Sequence, residues 1–220
     1  FNKDGWTQGS YGAISNTSMV AWCWKAGGNK NTFNIDDVGY ASAAAAGLDG
    51  GTLTPSGASI GTKQGFSIIQ WEGTNNIKTI SHGLSQTPEF IINKNIDTSS
   101  DWYVGSPYLG TGNWLPYLVF GTAAEANNSD VWQQGGAPNA TTFGVGSVGN
   151  STGTHIAYLW HSVPGVQKFG SYEGNGNADG PFVELGFRPS LVILKNIDNY
   201  STGYEYFVFD SSKIGKISCL

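Results

Sequence analysis

Charge is what this chain has least of. Only 12% of its 220 residues are Asp, Glu, Lys or Arg, about half the usual share of a soluble domain. Arg188 is the single arginine, and the net charge is −5 with no basic run. Neutralising a phosphate backbone needs clustered Lys and Arg, so nucleic acid is excluded as a partner. Cysteine is scarce too: Cys23 and Cys219 are the only two, too few for a disulfide framework and not spaced as a metal pair. A bridge between them stays open, and Cys23, flanked by Trp22 and Trp24, reads as a small buried filler. Long apolar runs are missing: Ala41 to Gly47 is the longest run of small residues, far short of the ~20 residues a spanning helix needs. Membrane insertion is therefore not expected, and solubility rests on Asn, Ser, Thr, Gly and Gln. The chain opens on Phe1 with no signal-like segment before its first strand, which reads as a fragment or a processed piece.

What is abundant points to strands. The 32 glycines are scattered, and 39% of the residues are hydrophobic and 13% aromatic. Short Val, Ile, Phe, Tyr and Trp segments between Gly-bearing turns imply an all-β chain of sandwich architecture.

An internal echo organises it. Trp71-Glu72-Gly73, Pro88 and Lys94-Asn95-Ile96-Asp97 return as Tyr172-Glu173-Gly174, Pro189 and Lys195-Asn196-Ile197-Asp198, each 101 residues later (172 − 71, 189 − 88, 195 − 94). Upstream, Ala21-Trp22-Cys23-Trp24 echoes Ala157-Tyr158-Leu159-Trp160 at an offset of 136 (160 − 24). The difference between the offsets, 136 − 101 = 35 residues, marks an insert in the first copy. The expected organisation is a tandem duplication of antiparallel β-sandwich units: 1–122 with an Ala-rich insert at 27–63, and 123–220, truncated at its C-terminal end.

Within the copies, Val20 to Lys25, Gly65 to Glu72, Glu89 to Lys94, Trp102 to Val104 and Leu115 to Gly121 read as strands. Thr154 to His161, Lys168 to Glu173, Ser190 to Lys195 and Tyr204 to Asp210 repeat the series. The Ala-rich insert is expected to form a short helix or compact coil; the one candidate helix is Ile35 to Ala46, with Asn34 as N-cap, Asp36 and Asp37 at the positive end of its dipole, and Gly47 as the C′ stop. Its Gly47 to Gly61 stretch is expected to be irregular, and the insert to extend over a neighbouring domain or subunit.

Four motifs carry a resemblance: Ala21-Trp22-Cys23-Trp24-Lys25-Ala26-Gly27-Gly28, the Asp36 to Gly51 run, the His82-Gly83-Leu84 to Pro88 turn, and Phe169-Gly170-Ser171-Tyr172 through Gly176 to Phe187-Arg188-Pro189. Together they resemble a domain family of uncharacterised function found in tail-fibre-like and other virion-associated proteins of marine bacteriophages, often beside concanavalin-like or laminin-G-like sandwich modules. The resemblance spans nearly the whole chain and brings no catalytic residues or cofactors with it. It implies a virion adhesion or structural module: a homo-oligomer, with a trimer favoured, packed against other virion proteins and facing cell-surface polysaccharide.

The residues themselves give little chemistry. Glu72 and Glu173 could suggest a glycosidase pair, but they are repeat equivalents, each expected at the same turn of its own copy. Glu89 with Glu184, and Asp97 with Asp198, meet the same objection, and the Asp residues are expected to accept backbone N–H bonds in the following turn. His82, His155 and His161 lack metal-ligand spacing and read as surface or partly buried side chains. Asn175-Gly176-Asn177-Ala178-Asp179-Gly180 resembles the start of a calcium loop, but its twelfth position is Gly186 where a bidentate acid belongs; a hairpin turn is the expected reading. The Asn-X-Ser/Thr triplets at Asn16, Asn127, Asn139, Asn150 and Asn199 follow from composition. No Gly-x-Ser-x-Gly elbow occurs. No catalytic, metal or cofactor residue is therefore assigned, and no enzyme activity is expected. The aromatics Trp102, Tyr103, Tyr108, Trp114, Tyr117 and Trp132 remain as candidates for stacking on sugar rings, against core burial as the commoner fate. The main functional expectation is a non-catalytic virion or tail-fibre module; the alternative is a secreted carbohydrate-binding or carbohydrate-active domain.

Overall fold

A computed structural model of the protein describes residues 21–28, 30–110, 112–120, 125–127, 130–198, 206–211 and 218–219. The chain is nearly all β. Its strands are β1 (Phe33–Ile35), β2 (Val38–Tyr40), β3 (Gly57–Gly61), β4 (Phe66–Gly73), β5 (Lys78–Ser81), β6 (Phe90–Asn95) and β7 (Trp102–Gly105). They continue as β8 (Pro116–Val119), β9 (Glu125–Asn127), β10 (Thr142–Val145), β11 (Gly153–Trp160), β12 (Leu191–Lys195), β13 (Tyr206–Asp210) and β14 (Ser218–Cys219).

Period-two alternation drives the long strands. In β6, Ile91, Asn93 and Asn95 are buried while Phe90, Ile92 and Lys94 are half-buried, so the two faces meet different surroundings. In β11, Ala157 and Leu159 point to the core while Ile156 and Tyr158 point away. Nine strands form the main sheet in the order β2-β1-β3-β4-β11-β6-β7-β8-β9. The central strand β11 bonds β4 from Gly153↔Gly73 to Trp160↔Phe66 and β6 from His155↔Asn95 to Trp160↔Phe90. All pairs in this sheet are antiparallel except β1 with β3, which run parallel (Phe33↔Ala58).

A two-stranded sheet of β5 and β10 accompanies it. The principal core gathers Ile69 and Trp71 of β4, Ile91 of β6, Ala157 and Leu159 of β11, Ile80 of β5, and Phe143 and Val145 of β10. On the opposite face of the main sheet a second core joins Val104 and Leu118 to Leu109 and Tyr206, with Phe90, Ile92, Phe120 and Ile197 around it. The third sheet, β12-β13-β14, thus lies against that outer face through Tyr206 and Ile197.

The segment 27–63 departs from its expectation. No helix spans Ile35 to Ala46: Asp36 and Asp37 take positive φ (46° and 71°) as the two-residue turn of the β1–β2 hairpin, a conformation in which Asp is one of the tolerated residues. Asn34 is a buried strand residue whose amide donates to the carbonyls of Asn31 (2.7 Å) and Ala58 (3.3 Å). The Ala run folds as one turn only. Ser42 Oγ accepts from Ala45 N (3.1 Å), Leu48 N donates to Ala43 O (2.9 Å) and Gly47 N donates to Ala44 O (3.0 Å), with Gly47 at φ 68°. That is the Schellman pattern, with Gly47 at C′. Residues 57–61 of the stretch expected to be irregular form β3, and Phe33, Ala43, Leu48, Ala58 and Ile60 join the principal core, so this segment packs inward.

Two other expected strands are absent. Residues 21–25 are not in a strand, and between β11 and β12 the chain makes only the isolated bridge Val163↔Gln167, which leaves Lys168 to Glu173 outside any strand. The remaining part of Val20 to Lys25, Val20 itself, lies outside the described residues, as do Asn16 and Asn199. Cys23 is free and exposed, and all three histidines are buried.

The β12-β13-β14 sheet follows the pairing of β6-β7-β8. Lys94↔Trp102 and Ile91↔Gly105 have Lys195↔Tyr206 and Val192↔Phe209 as counterparts. On the next ladder Tyr103↔Val119 corresponds to Phe207↔Cys219. After the first strand of each set the same turn recurs: Asp97 N donates to Asn95 Oδ1 (3.0 Å) and Asp198 N to Asn196 Oδ1 (2.9 Å).

Candidate functional site: an aromatic shelf and amide groove on one sheet face

Cross-strand register decides which side chains share the outer face of the main sheet. One row runs Gly57, Gln70, Ile156, Lys94 and Trp102; the next runs Asn34, Ser59, Ile68, Tyr158, Ile92, Val104 and Leu118. At the β7 side of this face Trp102 is 42% exposed and stacks on Tyr158 with ring centres 6.5 Å apart and planes 18° from parallel. Tyr158 in turn stacks on Trp160 (6.3 Å). At the β1–β3 side lies an open groove of about 400 Å³ lined by Asn31, Thr32, Asn34, Gly57, Ala58, Ser59, Ile68, Gln70 and Ile156. Ile156 belongs to the groove and to the row of Trp102. With strands spaced ~4.8 Å apart, β11 and β7 are about 10 Å apart across β6, so shelf and groove form one continuous surface.

That surface combines two chemistries. Amides and hydroxyls offer both donors and acceptors without charge, and Trp and Tyr offer flat apolar rings with polar tips. The groove's polar groups are held in place: Ser59 Oγ donates to Asn34 Oδ1 (2.8 Å) and accepts from Gly27 N (3.0 Å). Lys94, on the same face, directs its ammonium to the carbonyls of Thr98 (3.2 Å) and Ser100. It thereby pins the β6–β7 loop that leads into Trp102 at the start of β7.

The structure separates the aromatics singled out in the sequence. Trp102 alone among them belongs to the shelf. Trp114 and Trp132 are buried and meet edge-on at 6.2 Å over the principal core; they are packing groups. Tyr103 and Tyr117 are half-buried on the core side and meet edge-on at 5.4 Å. Tyr108 donates to Glu89 Oε1 (2.6 Å), and burial together with that carboxylate pushes its hydroxyl up to about 12. Glu89 is held below its ordinary value: burial opposes this, but hydrogen bonds from Tyr108 and from Ser162 N and the charge of Lys168 outweigh it. Tyr158 and the amides of Asn31 and Gln70 were not singled out. The period-two pattern Ile156, Tyr158, Trp160 was the available signal for Tyr158.

The histidines build scaffolding. His155 stacks on Trp71 (5.1 Å) and lies within hydrogen-bond distance of Asn93 Oδ1 (3.2 Å) and Ser151 O (2.8 Å); burial lowers its affinity for a proton. His82 Nδ1 accepts from Leu84 N (3.0 Å) and Nε2 faces Asn139 O (3.1 Å), which fixes the neutral tautomer with the proton on Nε2. Burial first, and His161 nearby, lower its value to about 4 although the Asn139 bond opposes them. His161 Nδ1 meets Ser162 O (2.8 Å), which leaves Nε2 as an acceptor 3.3 Å from Ser85 Oγ. This is a hydroxyl–imidazole pair with a main-chain carbonyl where a catalytic carboxylate would stand; Glu89, close by, is engaged by Tyr108 and Ser162.

The acids occupy turn and strand-end roles. Asp97 Oδ2 accepts from Thr154 N (2.8 Å), at the start of β11 and not in the following turn, and this bond holds its carboxyl below the usual range. Glu72 accepts from Thr154 Oγ1 (3.2 Å). In the Asn175 loop the Asn175 side chain accepts from Asn177 N and donates to Asp179 O, both at 3.0 Å, so it closes the turn itself. Among the described residues no group of three or more His, Cys, Asp or Glu is placed to hold a metal ion, and no helix is long and apolar enough to cross a membrane.

Compared with known protein families, residues 1–218 match the family described as a domain of unknown function (DUF7483), and the chain belongs to that family. No curated protein and no solved structure matches it.

Proposed function

We propose that this chain is a non-catalytic β module that contacts neutral glycans through the outer face of its main sheet, as part of a virion or tail fibre. The observation that carries the reading is the Trp102–Tyr158 shelf continuous with an uncharged amide and hydroxyl groove. Aromatic rings stack on the C–H faces of sugars while amides bond their hydroxyls, and a pocket of this kind needs no charge. The virion setting rests on the sequence resemblance to marine phage proteins. An oligomer, with a trimer favoured, rests on the same resemblance, and exposed apolar side chains such as Val166 (58%) and Phe182 (87%) are available to a partner.

We also read the chain as a duplication, with units at 1–122 and 123–220 and a strand-forming insert at 27–63. The matched ladders of β6-β7-β8 and β12-β13-β14 support it, as do the paired turns at Asn95 and Asn196.

The test is incubation with bacterial cell-envelope polysaccharides, scoring both retention of polysaccharide and release of reducing ends. Retention without release is the expected result. Release that disappears in Ser85→Ala, Glu72→Gln or Glu173→Gln overturns the non-catalytic reading, and absence of retention across envelope polysaccharides overturns the glycan reading.

A further inference from the structure

The side chains that the second repeat leaves exposed are the counterparts of side chains that the first repeat buries. Tyr172 is 50% exposed where Trp71, 101 residues earlier, is wholly buried. Val192 and Leu194 are half-buried where Ile91 and Asn93 are fully buried, and Ile193 is exposed. Ala21 and Cys23 lie in the open where Ala157 and Leu159 fill the core. In the first unit β11 makes the difference, because it bonds β4 along one flank and β6 along the other. In the third sheet the order is β12-β13-β14, and among the described residues no strand lies on the outer flank of Leu191 to Leu194. An apolar edge of this kind accepts an added strand.

We propose that residues 21–24 of the same chain are that strand, with 168–173 as the next one out, so that the two repeats exchange their first strands. The inference rests on the duplication read above. The register follows from β11: Trp160↔Phe90 and Leu159↔Ile91 translate, by offsets of 136 and 101, into Trp24↔Leu191 and Cys23↔Val192. On the other flank Tyr158↔Ile68 translates into Trp22↔Phe169. This puts Ala21 and Cys23 on the face of Val192 and Leu194, and both tryptophans on the opposite face.

Contacts already in place bring the segment to that edge. Trp22 Nε1 donates to Asp210 Oδ2 at 2.9 Å, and Asp210 is the ladder partner of Leu191. Trp24 meets Trp160, its own repeat equivalent, edge-on at 6.2 Å; two equivalent side chains touch in this way where a local two-fold axis relates their units. Phe169 stacks on Phe90 at 5.7 Å, which anchors the start of 168–173 near the row that ends in Trp160. The occupant is therefore this chain's own segment. Its docking covers the exposed strip and turns the exposed thiol of Cys23 into a core group.

The test is a directed disulfide in the full chain. In a Cys219→Ser background, Val192→Cys is oxidised mildly. Facing residues on adjacent antiparallel strands bring their Cα atoms to ~4.5–5.5 Å, within the separation a disulfide spans after a small adjustment of the Cβ atoms. The expected product is a disulfide within a single chain, seen as a monomer on a denaturing non-reducing gel with no free thiol. Ile193→Cys, one residue out and on the other face, is expected to oxidise at least 10-fold more slowly. A disulfide joining two chains makes a second copy the occupant and overturns the proposal, as does equal oxidation of both variants or failure of both. A companion variant, Ile193→Cys with Val208→Cys in a Cys23→Ser, Cys219→Ser background, spans the β12–β13 ladder. If this companion bridges while Val192→Cys does not, the strand exchange alone falls; if neither bridges, the duplication falls with it.

Discussion

Single residues show most directly why the core is specified by polar as well as apolar groups. Asn150 is fully buried; it accepts from Trp71 Nε1 (2.9 Å) and donates to Thr74 Oγ1 (2.9 Å) and Asn76 O (2.7 Å). Truncation leaves a buried indole N–H without a partner, which costs ~1–3 kcal/mol, and also loses the part-buried bonds to Thr74 and Asn76, ~1 kcal/mol each. Asn150→Ala is therefore expected to lose several kcal/mol in denaturant unfolding, whereas the same change at exposed Asn175 is expected to lose less than about 1 kcal/mol. His82 sets the response to acid. Its folded value of about 4 lies below the ordinary 6.5, so the unfolded chain takes up a proton that the folded chain refuses. The contribution of His82 to stability is therefore expected to be full above pH ~6.5 and to be lost as the pH drops toward ~4, by ~3 kcal/mol. His155 shifts in the same direction and adds to the slope. His82→Gln is expected to flatten the unfolding curve between pH ~6.5 and ~5.5, above the range where Glu89 and Asp97 mainly contribute; an unchanged slope would remove His82 from this role. None of this was visible in the sequence, where the three histidines looked alike. Their burial depends on β5, β10 and β11 meeting across long chain separations.

At the scale of elements, alternation made the strands legible and local turn chemistry misled. The Tyr, Ile, Val and Trp runs at β4, β6, β7, β11, β12 and β13 all sit within a few residues of where alternation put them. The β1–β2 hairpin did not, because Asp36 and Asp37 suit a helix start as well as a positive-φ turn, and only pairing with β3 decides between them. Asp36 takes part in that decision: its carboxylate accepts from Thr62 N (2.9 Å) and Thr62 Oγ1, which ties the hairpin to the end of β3. Asp36→Ala is expected to cost ~2 kcal/mol by losing both bonds and a residue tolerant of φ 46°. Asp36→Asn, which keeps an acceptor and that tolerance, should cost about half as much; equal losses would mean the bonds contribute little. Gly47 is a cleaner case. A Cβ there meets nothing within 4 Å and φ is +68°, so Gly47→Ala is expected to lose ~1 kcal/mol from backbone conformation alone. A loss above ~3 kcal/mol would point to packing instead.

For the whole molecule, the offset of 101 residues led to the ladder equivalence of β6-β7 and β12-β13, yet it hid the placement of β11. β11 falls within 123–220, the second unit of the duplication proposed above, yet it pairs with β4 and β6, which fall within 1–122. Repeats compared by sequence give no information on which copy a strand completes. The same long-range pairing hid the candidate site. Trp102 was legible as an aromatic in a loop-rich region, whereas its partner Tyr158 and the groove residues Asn31, Ser59 and Gln70 come together only through the rows of the assembled sheet. Trp114 and Trp132 were drawn inward by contact with Gly105, where a Cβ would come within 2.7 Å of Trp114 and 2.9 Å of Trp132.

The central claim is that this outer face binds sugars through Trp102. It is tested most directly by parallel binding of the wild-type chain and Trp102→Ala to an array of bacterial cell-envelope glycans, with matched far-ultraviolet circular dichroism to confirm the fold. Trp102 is exposed and outside both cores, so the fold is expected to persist. A stacking aromatic at the centre of a contact is worth about 2 kcal/mol, and the account predicts ~30-fold weaker binding by the variant to every glycan the wild type retains. Equal binding by the two proteins would contradict it.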